Sequence, residues 1–504
     1  MVIPLWVTEL LPLMDLPQHL ATIRILHSLD DPAFGLAPFY LVDLSSTQYL
    51  GYYYLVDLLA HAVGIETANR LVLSVYAVGV PLGMISYTRA FGRDPAVGLL
   101  AAPFAYNTFL FMGFANYVLA IPLVFWGLGV LRGLMDELKW GRFALLVAIT
   151  LALFYTHAQA FLVYCLCAGL IGLLGGHGFH PRNWWRQSLH LVPTILLFLV
   201  WMSRSLILAG DGDWQAGHGG RNASPVEIRW EPLLARLEAI PGNLLSGYRD
   251  EADEHILIAL AVMAVCLLMA RRLPHDPMEQ ASLGPRRTWL RAHLPEILLG
   301  AVFTTYLLSP ISYKWIWPIS HRLLPMVGLF AIGALATRRL RWRPLALVAP
   351  AIAISIWASS VHVDRARAFE AEAGDVRSML REAEPSKRLM ALIYRRGSAV
   401  VNHAPYLHFG QYYVLDRGGV ATFSFVDFPQ SPLKFDPETG PPALPVRWEW
   451  TPEKFRYETH GDYYDYFLIR DDGPQSRRRP FARHTKSVDL VKRSGQWSLY
   501  KKRP

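Results

Sequence analysis

Cysteine is scarce in this chain of 504 residues: only Cys165, Cys167 and Cys266 are present, all inside apolar runs. No disulfide framework or metal site is implied by them. The chain also lacks a phosphate-cradling glycine-rich loop, a serine nucleophile elbow and any His/Cys cluster with zinc spacing. Charge is sparse, at 18% of residues, and the 40 acidic residues are outnumbered by 49 Lys and Arg, giving a formal charge of +9. In a soluble chain that balance would suggest a nucleic-acid partner. Here the cations lie in short loops between apolar runs and not along one stripe, so nucleic acid is not an expected partner.

What the chain has instead is hydrophobic length. Between Ala68 and Ser360 apolar runs recur ten times, each close to the roughly 17–25 residues that cross a hydrocarbon core. The pattern predicts helices over 67–88, 95–112, 114–131, 142–157, 158–176, 188–209, 254–270, 294–309, 322–337 and 344–360. The connecting loops alternate in charge. Those around Arg89, Lys139, Arg182, Arg271 and Arg338 carry 16 Lys and Arg, whereas the opposite short loops carry one, Lys314. The basic set therefore belongs in the cytoplasm. Alternation then puts 15–66, the loop 210–253 and the tail 361–504 outside.

The expected architecture is mostly α, a polytopic transmembrane bundle with a small α/β soluble C-terminal domain. Its divisions are 1–14, an incomplete first transmembrane helix; 15–66, an outer loop with two surface helices; 67–360, the bundle; and 361–504, an extracytoplasmic domain. Met1 to Met14 is apolar apart from Thr8 and Glu9 but too short to span, and it has neither the basic start nor the cleavage site of a signal peptide. Leu16, Leu20, Ile23 and Leu26 fall at helical spacing, and Tyr49 to Val63 is rich in Tyr and Leu; both stretches read as helices lying at the headgroup level. The tail opens with an amphipathic stretch, Asp364 to Glu384. Strand-like runs follow at 388–394, 420–425, 464–469 and 497–500. Arg477 to Arg479 reads as a solvated basic loop, and Asn222-Ala223-Ser224 fits the N-glycosylation pattern.

The most informative stretch is Pro12-Leu13-Met14-Asp15-Leu16-Pro17-Gln18-His19-Leu20, where an apolar segment leaves the bilayer directly into an acid. A partly desolvated carboxylate there suits a general base. The competing reading is that Asp15 caps the following helix. One helical turn on, His19 is placed to orient that carboxylate or to bind an acceptor, although a surface-helix histidine needs no function. His157 interrupts an apolar run and marks an outer turn, with sugar or phosphate binding as its functional reading. Arg322 and Lys314 are the outer cations able to neutralise a lipid phosphate; as belt or snorkelling residues they would need no such role. His321 has the same two readings as His19. A single aspartate is able to take a divalent cation but does not argue for one.

At these residues the chain resembles the GT-C membrane glycosyltransferases, which take a sugar from a polyprenyl-phosphate carrier at the outer face of the membrane. In that family an acid opening the first outer loop is the catalytic base, and the loop forms two surface helices; Asp15 in its Asp-Leu-Pro-Gln-His setting matches that position. Similar landmarks are Gly113-Phe114-Ala115-Asn116-Tyr117, Thr156-His157-Ala158 and His321-Arg322-Leu323-Leu324-Pro325. The resemblance covers about 10–360 and includes the outward tail. It implies a bacterial inner-membrane enzyme with Asp15 as base and His19, Asn116, His157, Lys314, His321 and Arg322 toward substrate. Its partners would be membrane lipids, a polyprenyl-phosphate-linked sugar and a glycan, lipid or protein acceptor. Two departures stand out: the first helix is incomplete, and no second acid stands beside Asp15, with Asp43 and Asp57 the nearest candidates. The readings from other classes are a transporter or lipid flippase and a non-catalytic envelope assembly protein. Against transport, Arg70, Arg204, Glu296 and Arg322 all lie near span ends, not at the midplane.

Overall fold

The computed structural model describes all residues except 46, 138, 175–187, 205–227, 270–284, 315, 337–344, 429, 445–447, 474–479 and 482–483. The Asn222 acceptor pattern, the Arg477–Arg479 loop and the basic residues at 182, 186, 271, 272 and 338–343 lie outside the described residues. Two helices are formed within 15–66, as α1 (Leu16–Ser28) and α2 (Gly51–Val63). Ile65–Ala90, Ala115–Asp136 and Ala252–Met269 are long and apolar enough to cross a membrane. Shorter apolar helices include Trp140–Thr156, Ala158–Leu174, Leu189–Arg204, Leu294–Leu308 and His321–Leu335. Outward positions are greasy: Val75 and Ile258 on these helices, and Ile356 on the helix Leu345–Ala373, are 63%, 59% and 65% exposed. A water-facing surface does not repeat that on successive helices, whereas a lipid-facing one does.

Three segments depart from the sequence expectation. Residues 95–112 form not one α-helix but a tighter 3-10 run, Pro95–Tyr106, followed by a turn of α-helix, Thr108–Phe111. Pro103 withholds an N–H inside the run, and the Asn107 side chain ends it by accepting from the N–H groups of Phe109 and Leu110. At about 2.0 Å rise per residue, such a run reaches farther than an α-helix of equal length. Within 1–14 the expected helix is absent: only Ile3–Leu5 makes a 3-10 turn. Pro12 cannot join a helical ladder, and the N–H groups of Glu9 and Leu10 donate to Glu370 instead of to a preceding turn. The helix expected to stop at residue 360 continues as Leu345–Ala373, ending at Gly374, whose φ of +61° closes it. Nothing between Ser360 and Ala373 breaks a helix, so it runs straight into the tail.

The tail is a five-stranded mixed sheet. Arg388–Ile393 lies between parallel neighbours Val420–Ala421 and Tyr466–Arg470, and antiparallel Trp497–Lys502 and Val488–Ser494 complete it. Three of these strands fall on the expected runs. Val420–Phe425 is strand only at its start, because Ser424 caps a turn at Phe425–Asp427, and Val488–Ser494 has no counterpart in the sequence reading.

This sheet domain is tied to the outer segment. Tyr40–Val42 pairs antiparallel with Leu433–Phe435, and α1 packs against the helix Gln411–Arg417. Arg377, nearly buried, binds Glu66, Glu9 and Asp416 at 2.7, 2.9 and 2.5 Å. It thereby joins the start of the chain, the foot of Ile65–Ala90 and the sheet domain. Burial alone would loosen its proton, but Asp416 and Glu66 hold it more tightly than an ordinary arginine holds its own. Removing the Arg377 guanidinium would leave the mostly buried Asp416 carboxylate without its closest partner, and loss of a buried partner costs about 3–5 kcal/mol.

Candidate active site

Asp15 stands directly before α1 and is 6% exposed. It sits at the N-cap position, yet its side chain makes no capping bond. Its backbone does the anchoring: the N–H donates to Met112 O at 3.2 Å and the carbonyl accepts from His19 N–H. Gly113 makes this approach feasible. Its φ is +82°, and a Cβ there would fall 2.5 Å from Asp15 N, so the glycine of the Gly113–Tyr117 landmark is fixed by both conformation and space.

The freed carboxylate faces a histidine from the sheet domain, His408, whose Nε2 is 3.3 Å from Asp15 Oδ1. The tautomer follows from Gln18. Its Oε1 accepts from Phe425 N–H at 3.0 Å, and its amide nitrogen donates to Phe423 O, so the amide cannot be reversed. That nitrogen lies 2.9 Å from His408 Nδ1, which must therefore accept. The Nε2–H of His408 is then the donor aimed at Asp15. A second imidazole is fixed in the same way. His19 Nε2 donates to Gly113 O at 3.0 Å, and its Nδ1 accepts from the Tyr53 hydroxyl at 2.8 Å. Asn116 lies beside that hydroxyl.

Opposite this group is Arg322. Its guanidinium feels the Asp15 charge and lies over the Phe114 ring at 4.6 Å. One Nη donates to Trp317 O at 2.7 Å, and the other is 3.5 Å from His157 Nε2. His157 is wedged between the Tyr49 and Tyr117 rings, at 5.3 and 5.1 Å. Arg322 Nε, His157 Nδ1 and Asn116 Oδ1 are all buried without a hydrogen-bond partner among the described residues. Buried polar atoms left in that state are costly unless a polar ligand meets them.

Asp15, His19, Asn116, His157 and Arg322 are therefore brought together from four separate stretches of sequence. His321 and Lys314 are engaged elsewhere: His321 Nε2 binds Glu231 at 2.8 Å, and the Lys314 ammonium lies 5.7 Å from the Tyr313 ring centroid. Neither candidate partner acid joins Asp15, since Asp57 binds His27 at 2.7 Å and Asp43 accepts from Ser45. Sequence reasoning missed His408 and also His403, which donates to Ser246 O at 3.2 Å and feels the Asp15 charge. Both lie in irregular backbone just before Gln411–Arg417, where no spacing marks them.

Burial pushes His19 down to about 4 from its ordinary 6.5. The unfolded chain then binds the extra proton between those values while the folded chain does not, so stability rises with pH across that window and levels off above it. The shift corresponds to about 3 kcal/mol. We expect the melting temperature of purified protein to climb between pH 4 and 6.5, and His19→Gln to flatten the climb. An unchanged slope in that variant would remove His19 as the cause.

No family model and no curated protein matches the chain. Solved structures do. ArnT from Cupriavidus metallidurans bound to undecaprenyl phosphate is 12% identical with a TM-score of 0.54, and the same protein in the apo state is 11% identical with a TM-score of 0.55. Each alignment covers 99% of this chain and 95% of that one. At such identity the likeness is one of fold alone: this chain shares the fold of ArnT.

Proposed function

We propose that this chain is an integral membrane glycosyltransferase that moves a sugar from a polyprenyl-phosphate carrier to an acceptor at the outer face of a bacterial inner membrane. The observation that carries the reading is the buried Asp15 carboxylate, held by His408 and within electrostatic reach of Arg322, whose own Nε is buried without a partner among the described residues. The undecaprenyl phosphate bound to ArnT supports the donor class. Ten spans, with the sheet domain outside, follow from the apolar runs and the charge alternation.

The acceptor hydroxyl gives its proton to Asp15 as its oxygen attacks the anomeric carbon. The carbon–oxygen bond to phosphate breaks, and polyprenyl phosphate leaves with the electron pair. Negative charge grows on that leaving oxygen, where Arg322 offers an Nε–H without a partner among the described residues and the rest of its fork. His408 keeps the carboxylate aimed without competing for the acceptor's proton, since the lone pair on its Nδ1 is already taken by the Gln18 amide. With no second acid beside Asp15 among the described residues to act as nucleophile, the displacement is single and inverts the anomeric centre. No step requires a metal, although a divalent cation beside Asp15 is compatible with the acid.

Purified protein given a labelled polyprenyl-phosphate-sugar pool and candidate glycan, lipid or protein acceptors should release polyprenyl phosphate. Transport of the intact lipid-sugar without cleavage would instead support the flippase reading. For topology, a reporter active only in the cytoplasm should stay silent when fused at Pro504, and activity there would overturn the orientation.

A further inference from the structure

The helix pair that positions Asp15 and Tyr53 carries a second group of chemistry at its other end, which sugar transfer does not use. His27 lies in the last turn of α1, and Asp57 and His61 lie on α2, His61 in its last turn. Their i,i+4 spacing puts Asp57 and His61 on one face of α2, and the packing of α1 on α2 brings His27 against it. One ligand atom from each residue lies within 4.8 Å of the other two. His27 Nδ1 is 2.7 Å from Asp57 Oδ1, and the two imidazoles meet edge to face with centroids 4.5 Å apart. All three are partly or fully exposed to solvent.

A plain His27–Asp57 ion pair would account for two of these residues and leave His61 a bystander. Two further observations involve His61. Its Nδ1 lies 2.9 Å from the main-chain oxygen of Asp57 and donates to it, which leaves the Nε2 lone pair as the free ligand atom. Metal-binding imidazoles are usually held in this way, with the other ring N–H on a carbonyl or carboxylate. Moreover, both histidines stand in C-terminal turns, where helix dipoles present their negative ends and favour a cation.

We propose that His27, Asp57 and His61 bind a divalent transition-metal ion, with zinc the best match, and that the ion clamps the end of α1 to α2. Two imidazoles and one carboxylate suit a borderline-soft ion; magnesium and calcium prefer all-oxygen shells. Three protein ligands leave the fourth tetrahedral position to water. Ligand atoms up to 4.8 Å apart must draw in to about 3.3 Å, the corner spacing for bonds of about 2.0–2.1 Å, and rotation of the exposed His61 side chain is the easy route. The ion would sit roughly 18 Å along α1 from Asp15, twelve residues at about 1.5 Å each. Its role is to brace the helices that present the acid, and it stands whether or not the chain transfers sugar.

Full-length protein in nanodiscs, stripped with a chelator, should take up one zinc per chain, and cobalt in its place should show visible ligand-field bands typical of imidazole coordination. His61→Ala and Asp57→Asn should each weaken zinc binding by more than about tenfold, while excess magnesium should not displace the ion. Asp15→Asn should bind zinc as the parent does. His61 is exposed, so its variant is expected to fold, and cobalt spectra of the parent report imidazole ligation without any variant. Unchanged zinc uptake in the His27→Ala/His61→Ala double variant, loss of uptake in Asp15→Asn, or no uptake by the parent would each overturn the site.

Discussion

Asp15→Asn is expected to leave a folded, membrane-inserted protein whose release of polyprenyl phosphate falls by about 10²–10⁴, the range for a lost general base. The reason to expect an intact fold lies in what Asp15 does structurally. Its side chain caps nothing; the bonds to Met112 and His19 are made by its backbone, which the substitution leaves in place. An asparagine Oδ1 still accepts from His408 Nε2–H, so the contact to the sheet domain survives while the basicity is lost. The measurement is single-turnover release of polyprenyl phosphate together with a thermal melt and donor binding. Full turnover in the folded variant would strip Asp15 of its role. An inactive variant that still binds the lipid-sugar donor separates an enzyme from both a flippase and a scaffold.

Much of this site is legible in the sequence, and the reason is physical. Asp15 and His19 share one helical stretch, and an acid emerging from an apolar run is conspicuous because lipid would not tolerate it deeper. Arg322 and His157 are visible on the same grounds, as polar interruptions at the ends of apolar runs. What the sequence hides is the partner from the far end of the chain. His408 meets Asp15 only because Tyr40–Val42 pairs with Leu433–Phe435 and α1 packs on Gln411–Arg417, contacts between segments some 390 residues apart. Periodicity reports which face of an element is buried, not which distant element covers it. The 3-10 run at Pro95–Tyr106 was hidden for a different reason. An apolar stretch with two prolines is compatible with a kinked α-helix as well as a tighter one, and the choice rests on packing against Ile65–Ala90.

Arg322→Ala should cost about 10²–10³ in turnover per bound donor, the range for removing a group that meets developing charge. The arginine is suited to this because its environment leaves it partly uncommitted. One Nη is spent on Trp317 O, the Phe114 ring supports the plane of the fork, and Nε has no partner among the described residues. Arg322→Lys retains a positive charge but loses the planar fork and the ring stacking, so it should restore only part of the rate. An anchoring role at the membrane surface predicts otherwise: lysine would then serve nearly as well, and alanine would lower expression or stability more than turnover. Donor binding and single-turnover rate measured on the same preparations distinguish the two. Binding retained with the chemical step slowed places Arg322 on the leaving phosphate, because only a charge that grows during bond cleavage makes the arginine worth more in the transition state than in the bound donor.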